Sequence, residues 1–211
     1  MLDVHPPHEK MHGFTDFLLH LLTITIGLLI ALGLEGCVEH WKQRELQKDA
    51  DTKLRQEIRD NAKEIASVHN ANATEQANLV RIVNFMSARK KNQSYDTHQI
   101  RLDFTLGDLK SASWKTAAAT GALGFMEYDQ VQRYSDVYQL QDKYSALQDQ
   151  TIDEFLQLQS YVIYGFDPEK ITPADAGSAE LDARRALVRL TAMDQVGTAL
   201  AKEYDAVLKS N

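Results

Sequence analysis

Three histidines near the start, His5, His8 and His12 in "HPPHEKMH", come nearest to metal chemistry. His8 and His12 stand four residues apart, a spacing that puts two imidazoles on one helical face. Pro6 and Pro7 favour an extended start instead. No Cys or carboxylate motif nearby completes a tetrahedral set. The tail is therefore expected to lie at lipid headgroups, with metal binding as the lesser alternative and no cofactor. His20 and Glu35 invite a proton-relay reading, but a helix would separate them by about 22 Å along its axis. His40, His69 and His98 are dispersed, and GxSxG, HExxH, P-loop and GxGxxG patterns are absent. The chain does not read as an enzyme. Tyr128, Tyr134, Tyr138, Tyr144, Tyr161, Tyr164 and Trp114 could line a pocket between helices. Core packing with hydroxyls reaching the rim is the plainer expectation for them.

The element that must position His20 and Glu35 is an apolar run. Phe17 to Leu34 carries no charge, and "LLTITIGLLIALGLEG" fills Leu21 to Gly36. These residues span roughly 27 Å as a helix, enough for a bilayer's hydrocarbon core. Phe14, Val38 and Trp41 add length and interfacial aromatics. A signal peptide would want a basic start and a small-residue cleavage site. Lys10 is the lone cation before the run, and "LEGCVEHWKQ" offers no such site, so an uncleaved anchor is expected. On a helical wheel, His20, Thr23, Gly27, Ala31 and Glu35 fall within an arc of about 120°. Gly27 and Ala31 form a small-xxx-small pair that admits a close neighbour. This stripe reads as a helix-packing seam, toward a second copy or another membrane subunit.

The formal net charge of −7 argues against nucleic acid as a partner. Lys42, Arg44, Lys48, Lys53 and Arg55 follow the anchor, which favours a cytoplasmic C-terminal domain, with a periplasmic one as the alternative. The single cysteine, Cys37, excludes an internal disulfide and reads as a small buried residue.

The remainder is helix-forming. Cys37 to Leu106 holds no Pro or Gly, which predicts that the anchor continues into a long stalk. Leu46, Ala50, Leu54, Ile58, Ala62 and Ile65 recur mostly four apart, a step that drifts from a strict heptad seam and suggests compact packing. "NANAT" (Asn70 to Thr74) could bend the helix, and "ARKKNQS" ends it on cations. Asp96 could cap a short helix that Gly107 breaks. "SASWKTAAAT" predicts a helix stopped by Gly121. Trp114, Gly121 and Gly124 are expected to organise that connection, the glycines through positive φ or close approach. Tyr128 to Tyr164 predicts a second long helix, and "TPAD" (Thr172 to Asp175) opens a third.

"HPPHEKMH", Leu21 to Gly36, Val38–Glu39 with "HWKQRELQKDA", and "SWKTAAATGALGFMEYDQVQRYSDVY" (Ser113 to Tyr138) resemble an uncharacterised family of bacterial single-pass membrane proteins. The resemblance covers about half the chain. It implies a permanent anchor and a helical domain, and it carries over no catalytic residue.

The expected fold is all-α. A polar tail occupies residues 1–13 and a transmembrane helix 14–38. That helix continues into an antiparallel bundle of three to four helices over 39–211. The expected role is non-enzymatic: an interaction protein of the bacterial inner membrane, self-assembling or an accessory subunit of a larger complex. The alternative is an exported helical sensor that binds a small ligand.

Overall fold

The computed structural model describes residues 13–98, 100–161 and 170–210. Among these the fold is all-helical, with no strand. Four α-helices follow in order: α1 (Phe14–Lys90), α2 (Ala112–Ala119), α3 (Tyr128–Gln159) and α4 (Ala176–Lys209), with a short 3-10 turn at Ala122–Phe125. Two compact units divide the chain, Met1–Lys48 and Asp49–Asn211. His5, His8 and His12 lie outside the described residues, as does Tyr164.

α1 is one helix of 77 residues that runs through "NANAT" without interruption. No proline interrupts it, and its three glycines all lie before residue 37. It ends on a Schellman motif. The amide of Gln93 donates to the Ala88 carbonyl at 2.9 Å, and the amide of Asn92 to that of Arg89 at 3.0 Å. Asn92 takes the left-handed conformation this requires, with φ of 53°.

In the first unit α1 is one helix long and apolar enough to cross a membrane. None of its apolar window is buried, and Cys37 is exposed. Cys37 is thus not the buried residue its size suggested. A helix that carries Leu and Ile on every side has no inward face for it to occupy.

In the second unit, most buried positions on the three long helices follow one rule. On α1 they are Leu54, Ile58, Asn61, Ile65, Val68, Asn72, Glu75, Leu79, Ile82 and Met86, alternating steps of four and three. On α3 the series is Tyr134, Val137, Gln141, Tyr144, Gln148, Thr151, Phe155 and Leu158. On α4, Ala176, Ala179, Ala183, Ala186, Leu190, Met193, Gly197, Leu200, Tyr204 and Val207 keep the same spacing. A mean step of 3.5 is the heptad period. Steps of four had hidden it on α1, because Asn61, Asn72 and Glu75 hold seam positions that an apolar reading skips.

Paired residues set the directions. Asp51, Glu57 and Asn61 of α1 bond Tyr134, Tyr138 and Gln141 of α3 in ascending order, so α1 and α3 run parallel. Arg55 reaches the Ser210 carbonyl and Lys90 reaches Glu180, so α4 is antiparallel to α1. It is antiparallel to α3 too, through Tyr204–Gln141 and Arg189–Glu154. A wholly antiparallel arrangement was expected. Parallel α1 and α3 demand a return path, and the described residues between Gln93 and Ser111 make it without a helix. Asp96 does not cap a helix there; its carboxylate accepts the His98 amide in a local turn.

α3 and α4 approach most closely where side chains are smallest. A Cβ added at Gly197 would stand 3.1 Å from the Tyr144 ring. Gly197→Leu should therefore lower unfolding free energy by about 1–3 kcal/mol through overpacking. Gly124→Ala, at an open position with nothing within 4 Å, should leave it within roughly 0.5 kcal/mol. Urea titration of both variants measures the contrast.

Candidate functional site

In the first unit the proposed seam residues His20, Thr23, Gly27, Ala31 and Glu35 are all exposed. Thr23 Oγ1 donates to the Leu19 carbonyl at 2.9 Å, and Thr25 Oγ1 to that of Leu21 at 2.7 Å. Both hydroxyls are satisfied inside the helix, so neither needs a neighbour and neither opposes lipid. Gly27 has nothing within 4 Å of a built Cβ.

The densest polar constellation lies elsewhere, along the return segment of the second unit. An extended backbone laid on helices finds no free backbone partners there, so side chains must supply them. The Gln148 amide does this twice at Gly107: Oε1 accepts the Gly107 amide at 2.8 Å, and Nε2 donates to its carbonyl at 3.1 Å. Asn61 repeats the device at Lys110. Its Oδ1 accepts the Lys110 amide at 2.9 Å, and its Nδ2 donates to the Lys110 carbonyl at 2.7 Å. Each amide stands in for one rung of a sheet ladder. Gly107 is glycine because the segment passes so close, with Val68 Cγ2 3.2 Å from a built Cβ.

Asn61 also joins a layer across all three long helices. Its Nδ2 donates to Gln141 Oε1 at 3.0 Å, and the Tyr204 hydroxyl donates to the same oxygen at 2.7 Å. Beside it, Glu57 accepts the Tyr138 hydroxyl at 2.7 Å and the Ser113 amide at 2.8 Å. Trp114 stacks on Tyr138, ring centroids 5.2 Å apart and 16° from parallel. Asp51 Oδ1 accepts Gln130 Nε2 and the Tyr134 hydroxyl, both at 2.6 Å. Burial first, and these carboxylate bonds second, push the Tyr134 and Tyr138 phenols well above their usual range. They stay neutral donors. Their place is in packing and register rather than around a ligand.

Gly121 has φ of 73°, the left-handed conformation that ends α2's turn. Gly124 shows neither a positive φ nor a close neighbour. Of the dispersed histidines, His69 lies 2.8 Å from Asp194 across α1 and α4. His40 and His98 are exposed. Among the described residues, no three His, Cys, Asp or Glu side chains are grouped to hold a metal ion.

Asp51, Glu57, Asn61, Gln141 and Gln148 escaped sequence reading. For Asn61, Gln141 and Gln148 the available signal was a polar residue standing where a heptad count places a seam position; Glu57, between Leu54 and Ile58, gave no such signal.

Glu75 is a different case. It is 6 % exposed at a seam position. Burial, reinforced by Asp103 of the return segment, raises its carboxyl from 4.5 to about 7. The raised value means the folded protein favours neutral Glu75. Its contribution is fully present below pH 4.5 and is lost as pH rises through 7. Glu75→Gln should thus exceed the native chain in stability at pH 8 by on the order of 1–3 kcal/mol, with the advantage shrinking toward pH 4.5. Paired denaturation curves at the two pH values check it. Asn61→Ala should cost about 1–3 kcal/mol by orphaning the Lys110 amide, while the Lys110 carbonyl keeps Gln141 Nε2 at 3.0 Å. It should also raise amide exchange at Lys110.

No described protein family, no curated protein and no solved structure matches this chain.

Proposed function

We propose that this chain is a non-enzymatic, membrane-anchored interaction protein, kin to the uncharacterised single-pass proteins it resembles. Its apolar helix spans the bacterial inner membrane. Through the face carrying Thr23, Gly27, Ala31 and Glu35 it packs against a second copy or another membrane subunit. The Lys and Arg residues after the anchor favour a cytoplasmic body. In this reading α1, α3 and α4 form a water-facing three-helix bundle, with α1 shared between membrane and bundle.

One observation carries the proposal. α1 passes as a single helix from an apolar stretch with no buried residue into a segment that supplies ten seam positions of a packed core. The apolar stretch has no role inside the chain's own core, so its partners are lipid and other helices. Asn61, Gln141 and Gln148, buried polar side chains of the body, hold its return-segment backbone, which supports a structural role for them.

Native purification in mild detergent, with mass measurement of the intact assembly, tests the proposal. The expected result is more than one chain, or this chain with a second membrane subunit. Gly27→Leu should shift the assembly toward single chains by severalfold or more. Nothing in the chain itself crowds position 27, so the substitution leaves the isolated fold intact. A lone chain in both detergent and bilayer discs, unchanged by Gly27→Leu, would overturn the seam. Release from membranes by alkaline carbonate would overturn the anchor itself.

A further inference from the structure

On the outer side of α3 and α4 runs a groove of about 570 Å³, a size usual for small-molecule sites. Leu147, Val188 and Ala192 provide its apolar wall, and Arg184, Arg185 and Arg189 its charged one. Val188 is 69 % exposed, an apolar side chain left uncovered in the body.

The charges around the groove do not cancel. Lys90 Nζ and Arg184 Nη2 both rest on Glu180, at 2.8 and 2.9 Å. Arg185 Nη1 contacts Asp182 at 3.3 Å, and Arg189 Nε contacts Glu154 at 2.9 Å. Among the described pairs, four cations share three carboxylates, one positive charge in excess, in a chain whose formal net charge is −7. The carboxylates are the buried partners, with side chains 5–14 % exposed. The guanidinium heads face water, at 40–58 % exposure. A guanidinium has five N–H donors. Arg184 uses two on Glu180 and Arg185 one on Asp182, which leaves donors on both among the described residues. Arg189 is tied to Gln150 as well as Glu154 and acts as a fixed wall.

The geometry points to a binding site for a small soluble amphiphilic carboxylate, an acyl or aryl chain bearing a single anionic head. The chain lies on Leu147, Val188 and Ala192. The carboxylate takes the free donors of Arg184 and Arg185, whose fork matches two carboxylate oxygens. Binding brings the excess positive charge to neutrality and covers the exposed Val188. This goes beyond the anchoring role and does not require self-assembly.

Calorimetry on the full chain in neutral phosphatidylcholine nanodiscs tests the site, with 2-naphthoate as the probe and empty nanodiscs as the blank. The expected result is saturable single-site binding, with the neutral alcohol 2-naphthalenemethanol at least about tenfold weaker. The double variant Arg184→Gln/Arg185→Gln should weaken the acid by about tenfold or more. Because that variant also removes partners of Glu180 and Asp182, Val188→Asp serves as a second probe. It removes no partner of Glu180 or Asp182, sets a competing carboxylate one turn from Arg184 and Arg185, and should abolish binding with the fold retained. Heat no greater than the empty discs would overturn the proposal. So would an alcohol that binds as tightly as the acid, or binding untouched by Val188→Asp.

Discussion

An extended stretch of backbone, pressed against helices whose own amides and carbonyls are already used, can be satisfied only by side chains. Residues 100–111 impose that constraint on the second unit of this protein. Asn61 and Gln148 meet it by pairing both polar groups of one residue with a single amide side chain, at Lys110 and Gly107. A buried peptide group without a partner costs about 1–3 kcal/mol, so these two amides hold seam positions that would otherwise be filled by Leu or Ile. The cost to the hydrophobic seam is two side chains' worth of apolar burial. The return is a segment that lets α1 and α3 run parallel.

Polarity at seam positions also limits how the helices can slide. A heptad seam of apolar residues tolerates a shift of one full repeat with little change in contact. The layer of Asn61, Gln141 and Tyr204 does not, because a shift would strand its hydrogen-bond groups. Small residues work in the same direction. Gly197 accepts the ring of Tyr144, and the alanines of α4 from Ala176 to Ala186 leave room for bulkier neighbours.

The first unit shows a different pattern. Thr23 and Thr25 bond their own backbone, its glycines face open space, and no side chain of its apolar run is buried. A rule that sorts residues by burial therefore gives opposite answers along one helix. From Leu18 to Leu34 every leucine is exposed. From residue 54 onward the buried positions include asparagine and glutamate.

Much of this was legible without coordinates. Charge-free length from Phe17 to Leu34, freedom from Pro and Gly over Cys37 to Leu106, and the breaks at Gly121 and "TPAD" determine an all-helical chain with one membrane-length stretch. Those features are local, set by backbone propensity and hydropathy residue by residue. What tertiary structure decided was everything that depends on distant partners. The heptad period on α1 became visible only once Asn61, Asn72 and Glu75 were known to be buried. The parallel run of α1 and α3 depended on a return segment whose described residues form no helix, which local propensity at Asp96 argued against. The arginine groove required α3 and α4 to meet with Glu154 opposite Arg189. Side-chain identity states what a residue can bond; only the packed chain states what lies within reach, because hydrogen bonds and ion pairs act over a few ångströms across separations of many residues.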